Sequence, residues 1–247
     1  MSVALAVTVH DPEGVQAVAI ERLADTLRGL FAGFALNISD RTDARVGAAA
    51  ERLLGAKTMT HQTGEAGIGR ARRESVALAL TLDAAQVLYC DLDHLLRWVE
   101  ANAGEVRAVL SRSPEADMLV IGRSARTFAA EPKRLQDTER VVNHIYALTT
   151  GHEGWDVMFA ARRLSRRAAE LIVREAREDT IGNDVEWPLL VDRAGLSLAY
   201  AAADGLYYRT MEEFGAAADT NDSSALEWVR RIEYAALHAK ALRRFLT

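Results

Sequence analysis

The sequence predicts an α/β protein: one Rossmann-like, mostly parallel sheet with flanking helices, followed by a C-terminal amphipathic helix. Three observations carry this expectation. Short apolar runs alternate with longer stretches of helical periodicity along the 247 residues. The first run, "VALAVTV" (Val3 to Val9), is continuously apolar, as in a strand covered on both faces. Strand–helix–strand alternation of this kind joins parallel neighbours through right-handed crossovers.

The elements follow in order. After the first strand, "PEGVQAVAIERLADTLRGL" places Val15, Ala19, Leu23 and Leu27 on one helical stripe, with Pro12 near the helix start. "FAGFALNIS" (Phe31 to Ser39) is a second strand; the turn "DRTD" leads to a helix through "ARVGAAAERLLG". "KTMTH" is a short third strand, "GIGRARRESVALAL" opens on two glycines and becomes a helix, and "QVLYC" is the fourth strand. "ADMLVIG" is a fifth strand and "KRLQDTERVVNHIYALTT" a helix. "WDVMFAARRL" reads as a strand leading into the helix "SRRAAELIVREA". "NDVEWPLLVDRAG" reads as a helix that Pro188 kinks or shortens, and "LSLAYAA" is another strand. The polar break "GAAADTNDSS" precedes a closing helix from Ser224 to Leu246. There is no internal repeat and no linker long enough for two independent domains.

Composition narrows the function. Charged residues make up 26 % and hydrophobic ones 49 %, ordinary for a globular chain. The net charge is −5 with Lys and Arg scattered, which excludes a nucleic-acid surface but leaves room for an anionic substrate held by a few arginines. Cys90 is the one cysteine, so there is no disulfide framework. "MSVALAVTVHDPEG" has no cationic stretch and turns polar after Thr8, unlike a signal peptide. No apolar run approaches the ~20 residues a membrane helix needs. The expectation is a cytoplasmic protein.

The informative stretch is "QVLYCDLDHLLRW" (Gln86 to Trp98), an apolar run that stops at Asp91 and Asp93 with His94 behind them. Two carboxylates at a strand end can reach one oxygen-loving cation. Mg²⁺ or Mn²⁺ held by one or two carboxylates plus substrate phosphates is the usual grip on a nucleoside diphosphate. The alternative is that both acids cap the helix beginning near Leu95. Ligands of parallel sheets sit beyond the carboxyl ends of the strands, where His10 and Asp11, and Asp40 to Asp43, also fall.

The order "GIGRA" (Gly67 to Ala71), helix, "QVLYCDLDH", then "ADMLVIGRSAR", "GWDVMFAARRLSRRAAELI" and "IGNDVEWPLLVDRAGLSLAYAAADGLYYR", resembles the nucleotide-sugar glycosyltransferases of the glycosyltransferase-A fold. The polyprenol-phosphate mannosyltransferase-like and mannosylglycerate-synthase-like branches are the nearest in pattern, over most of the chain. The resemblance implies a metal-dependent hexosyltransferase that moves a sugar from a nucleoside-diphosphate sugar to a small or phosphorylated hydroxyl acceptor. It implies Mg²⁺ or Mn²⁺ on Asp91 and Asp93, and donor contacts from Asp40, Gly67, Gly69, Arg72, Asp91 and Arg123. Trp155 and Asp156 fall on the acceptor side, and Asp184, with Glu186 beside it, takes the place of the catalytic base. The implied division is a nucleotide-binding half of residues 1–122, an acceptor half of 123–222 and a C-terminal helix of 223–247. In such a site the metal and an arginine neutralise the leaving diphosphate, and a carboxylate deprotonates the acceptor hydroxyl. Arg123 and Arg126 are the candidates for a bidentate phosphate clamp.

The chain departs from the family pattern in three places. The end of the second strand carries Ser39-Asp40 in place of two acids, and Asn183-Asp184 stands where a Glu-Asp pair is usual. "GLYYRT", with Tyr207 and Tyr208, stands where a metal-binding histidine is expected, so either the metal keeps more water or another residue such as His94 or His152 helps.

Other chemistries fit less well. "GEAGIG" lacks the Lys-Ser/Thr of a Walker loop, and there is no nucleophile elbow. A nucleotidyltransferase of similar topology opens with a glycine-rich, arginine-containing loop, which "VTVHDPEG" does not supply. A non-catalytic nucleotide-sugar-binding relative is the other alternative, against which the intact "DLD" speaks. His10 reads as a turn residue, Cys90 as a small buried hydrophobe, and "ARRLSRRAAELIVREAR" as a solvated helical face.

In the tail, Leu226, Val229, Ile232, Ala236, Ala239, Leu242 and Leu246 recur at helical steps. A stripe built partly on alanine is a poor membrane anchor, so docking on its own domain or a homodimer is expected ahead of membrane contact.

Overall fold

The computed structural model describes residues 2–206 and 221–246. One sheet of seven strands runs through it: β1 Val3–Val9, β2 Gly33–Ser39, β3 Lys57–His61, β4 Gln86–Tyr89, β5 Met118–Arg123, β6 Ala161–Ser165 and β7 Leu198–Ala203. Their order is β3-β2-β1-β4-β6-β5-β7. All neighbours are parallel except β6, which runs antiparallel to both β4 and β5. β1 lies between β2 and β4, so the strand order reverses there, with Ala6 opposite Tyr89 in register. A crevice for a ligand opens beyond the carboxyl ends at such a point.

The helices are α1 Val15–Leu30, α2 Ala44–Leu54, α3 Ile68–Ala79, α4 Leu92–Leu110, α5 Ala125–Ala130, α6 Lys133–Thr150, α7 Arg166–Glu175, α8 Asn183–Arg193 and α9 Ala225–Arg243. The core has two layers. Val3, Leu5, Val7 and Val9 of β1 join Ile20 and Leu27 of α1 and Leu95 of α4 on one face. The opposite face carries small residues such as Ala6 and Ala35, over which α3 packs, and continues through Val185 and Trp187 of α8.

Four sequence expectations shift, beside the burial of Arg162 and Arg163. The buried stripe of α1 is Ala17, Ile20, Ala24 and Leu27, and Val15 is exposed. The Asp11 carboxylate accepts from Gly14 N and Gln16 N, and Gly14 (φ 73°) is left-handed, so this cap sets the phase of the helix. The strand expected over "WDVMFAARRL" contracts to Ala161–Ser165. Arg162 and Arg163, read as part of a solvated helical face, are buried strand residues whose guanidinium groups donate to backbone carbonyls. Pro188 does not break α8. It removes the donor that would reach the Asp184 carbonyl, and Arg162 Nη2 donates to that oxygen instead at 3.1 Å.

The fourth shift concerns α9. It docks on its own domain, but of the predicted stripe Leu242 is buried while Leu226, Val229 and Ile232 are exposed. The docked face carries His238, Ala241 and Leu242, and polar pairs fix it. Arg231 bonds Glu139 of α6, and Arg244 lies 3.2 Å from Glu186 of α8. Buried polar groups must meet partners, and this requirement outweighs a stripe built partly on alanine. Among the described residues no helix is long and apolar enough to cross a membrane.

Candidate active site

A cleft of about 270 Å³ opens at the carboxyl ends of β1 and β4, lined by Thr8, His10, His61, Arg72, Asp91, Asp93 and His94 among others. β4 ends at Tyr89, so the two aspartates lie across the turn from strand to helix. Asp91 takes the N-cap position of α4, yet its side chain makes no capping bond. Its Oδ1 accepts from Thr8 Oγ1 at 2.6 Å and from the Tyr89 hydroxyl; its Oδ2 accepts from Arg72 Nη2 at 2.7 Å. Burial works against its charge, but the Arg72 guanidinium and these bonds outweigh burial and hold the carboxyl below its ordinary range. Burial and the Asp91 charge push the Tyr89 phenol well up, so it stays a donor.

Asp93 sits in the first turn of α4 with its side chain 39 % exposed, 3.2 Å from Arg97 Nη2 and 3.6 Å from His94 Nε2. It is the open carboxylate of the pair, since both oxygens of Asp91 are already engaged. Among the described residues no group of three or more His, Cys, Asp or Glu side chains could hold a metal ion. A site of this composition suits Mg²⁺ or Mn²⁺, which take one or two carboxylates and complete their shell with water and phosphate oxygens. His94 lines the cleft, whereas His152 stacks on Trp155 (4.0 Å, 6°). Tyr207 and Tyr208 lie outside the described residues.

Arg72, buried on α3, joins the two halves of the site. Nη1 donates to Asp184 Oδ1 at 2.8 Å and to Asn183 Oδ1 at 3.0 Å, while Nη2 holds Asp91. Burial disfavours the guanidinium charge, but Asp91 and Asp184 more than offset it and keep the group protonated well above its ordinary range. Its Nε is buried and has no hydrogen-bond partner among the described residues. Asp184, in the first turn of α8, also faces His238 Nε2 of α9 at 3.3 Å. Glu186 is fully buried with its oxygens on the Arg177 and Glu178 amides and on Arg244, so it ties down the loop before α8.

The two glycines of "GIGRA" differ. A Cβ on Gly69 would sit 2.4 Å from the Thr180 carbonyl, so glycine there permits close packing of α3 on residues 178–180, sealed by Gly69 N donating to Asp179 O at 2.7 Å. Gly67 precedes α3, where a Cβ would meet only Arg70 at 3.4 Å.

The remaining residues lie elsewhere. Asp40, at the end of β2, accepts from Thr63 Oγ1 at 2.6 Å and Thr63 N at 2.9 Å; these bonds hold its carboxyl below the usual range. It lines a separate cavity of about 420 Å³ over β2 and β3. Arg123 is buried against three carboxylates: Asp156 at 2.7 Å, Glu131 at 3.4 Å, and Glu139. With Trp155 and Asp156 it lines a third cavity, of about 640 Å³, between α5, α6 and the loop before β6. Arg126 is exposed and pairs with Asp204 at 3.2 Å. Phe159 stands between the cleft and this cavity, 4.6 Å from the His94 ring on one side and 5.6 Å from the Arg123 guanidinium on the other.

The fold thus gathers Asp91, Asp93, Arg72 and Asp184, and places Arg123, Trp155 and Asp156 together beyond Phe159. Sequence reasoning missed Thr8, Tyr89 and His238. Thr8, the hydroxyl near the end of an apolar strand, carried a readable signal; His238 carried none.

No protein-family model and no curated protein matches this chain. Solved structures do. Glucosyl-3-phosphoglycerate synthase of M. tuberculosis superposes with a TM-score of 0.55 at 16 % identity, over 90 % of this chain and 78 % of that one. The same protein crystallised with Mn²⁺, UDP-glucose and phosphoglyceric acid gives 0.52 at 15 %, over 95 % and 80 %. A mycobacterial protein gives 0.53 at 15 %, over 88 % and 71 %. Likeness at this identity is likeness of fold, and the chain has the glycosyltransferase-A fold that its motifs led one to expect.

Proposed function

We propose that this protein is a metal-dependent glycosyltransferase that moves a sugar from a nucleoside-diphosphate sugar to a small phosphorylated hydroxyl acceptor. One observation carries the reading: the open carboxylate of Asp93 and the engaged carboxylate of Asp91 share one cleft with Arg72 at the point where the strand order reverses, and Arg72 ties that cleft to the buried Asp184. The acceptor class follows the phosphoglyceric acid bound by the protein of similar fold, which also binds UDP-glucose and Mn²⁺.

In this reading residues 1–122 carry the donor and 123–222 the acceptor. Bound Mg²⁺ or Mn²⁺ supplies positive charge against the leaving diphosphate. Asp93 holds it directly, and Asp91 lies behind it, kept ionised by Arg72. Asp40 and the His10–His61 wall flank the nucleoside. Gly67 leaves room at the start of α3, and Gly69 keeps α3 and its Arg72 close to the loop before α8. The cavity of Trp155, Asp156 and Arg123 takes the acceptor. Asp184 serves as anchor of Arg72 and is the proposed base, with Glu186 behind it fixing α8. A cytoplasmic setting and a homodimer belong to the same proposal, with membrane contact secondary.

Thermal unfolding with UDP-, GDP- and ADP-sugars, with and without Mn²⁺, tests it, because a ligand that binds only the native state raises the melting temperature. The expected result is a metal-dependent shift with one nucleotide class and sugar transfer to 3-phosphoglycerate. Shifts that ignore the metal, or none, would overturn the reading.

A further inference from the structure

The C-terminal helix α9 reaches the candidate site with a side chain that no motif marks. His238 is fully buried, and its ring makes two contacts. Nδ1 lies 2.7 Å from the Tyr234 carbonyl, which can only accept, so Nδ1 carries a hydrogen. Nε2 lies 3.3 Å from Asp184 Oδ2. The other oxygen of Asp184 accepts from Arg72, whose second nitrogen holds Asp91. Asp184 is therefore an ionised acceptor, and the contact forms only if Nε2 also donates.

We infer that His238 is a positioning residue for the transfer site: it donates through Nε2 to Asp184, and so fixes Arg72 and, through it, Asp91. The inference rests on the proposed function of the cleft and extends it to a helix outside the sheet. The hydrogen-bond inventory around Asp184 supports it. Fully buried Arg162 donates only to backbone carbonyls, the Asp184 carbonyl included, and so leaves the carboxylate to His238 and Arg72. The helix is seated for this task at both ends of the site: Tyr234 donates to Glu65, just before "GIGRA", and Arg244 pairs with Glu186 of α8.

The test compares His238→Leu with His238→Gln in the full chain, with affinity for UDP in the presence of Mn²⁺ as the readout. Leucine fills the space without a donor; glutamine keeps one. Leucine is expected to weaken binding about tenfold, the scale of one lost hydrogen bond to a charged group, and glutamine to restore most of it. In an Asp184→Asn background the leucine change should have little further effect. Equal behaviour of the two variants, or an additive loss in that background, would show His238 to be packing alone and overturn the inference. A wild-type chain that does not bind UDP with Mn²⁺ would instead overturn the proposed function. The His238 contact is then judged by ¹⁵N NMR of the imidazole rings, assigned with His238→Gln. Two protonated nitrogens in the wild type, one in Asp184→Asn, support it, and an unprotonated Nε2 in the wild type refutes it.

Discussion

Arg72 Nη2 lies 2.7 Å from Asp91 Oδ2, so the first carboxylate of the "DLD" pair is tied to a helix that begins some twenty residues earlier in the chain. The planar guanidinium reaches Asp91 with one nitrogen and Asp184 with the other, which a single ammonium cannot reproduce. Arg72→Met should lower stability by about 3 kcal/mol or more, because it leaves two buried carboxylates uncompensated. Arg72→Lys should recover part of the stability but not UDP binding. Urea unfolding and calorimetric titration with UDP and Mn²⁺ measure the two effects.

Asp93 should behave differently from Asp91. Its side chain is partly exposed and its ion pairs are worth little, so Asp93→Asn should change stability by no more than about 0.5 kcal/mol while abolishing Mn²⁺-dependent nucleotide binding. Asp91→Asn should lose both. Normal UDP binding in both variants would return the pair to a structural role at the start of α4.

The network under the third cavity predicts the response to acid. Burial opposes the charge of Asp156, but Arg123 and the Asn143 amide outweigh it, and the carboxyl is held below its ordinary range. A carboxylate with a depressed folded-state pKa contributes stability that is present above its unfolded value and lost as pH falls through the folded one. The melting temperature should therefore fall as pH drops below the ordinary carboxylate range. Asp156→Asn should show a smaller acid loss than the wild type, and a lower stability at pH 7 by about 3 kcal/mol.

Gly69→Ala tests the packing of α3. The added methyl would meet backbone at Thr180 and Glu178, which cannot swing aside. A loss of about 1–3 kcal/mol is expected from overpacking, read as a lower urea midpoint with an unchanged slope. Gly67→Ala, with only the end of Arg70 nearby, should cost much less.

Removing residues 224–247 should yield aggregated or strongly destabilised protein, since it strips the partners of Asp184, Glu139 and Glu186 from a buried face. Light scattering and circular dichroism read the result. A truncated chain that stays folded and monomeric but no longer co-sediments with anionic vesicles would make the helix a membrane device.

The sequence by itself determined the strand and helix periods, hence the α/β class, and the strand end at which charge appears. Continuous apolar runs dictate buried strands, and an acidic pair stopping one of them is a local signal that survives without any neighbour. The tertiary structure alone decided which charges meet. Arg72, Asp184 and His238 lie far apart in the chain and carry no local mark of partnership; the reversal of strand order and the docking of α9 bring them together. The sequence suggests Arg123, at the end of β5, as a phosphate clamp, but a guanidinium buried among three carboxylates is set by what surrounds it in space. The same holds for α9. Its sequence offers one apolar stripe, and the protein buries a face that shares only Leu242 with it among the buried residues, because the charges of α6 and α8 need partners.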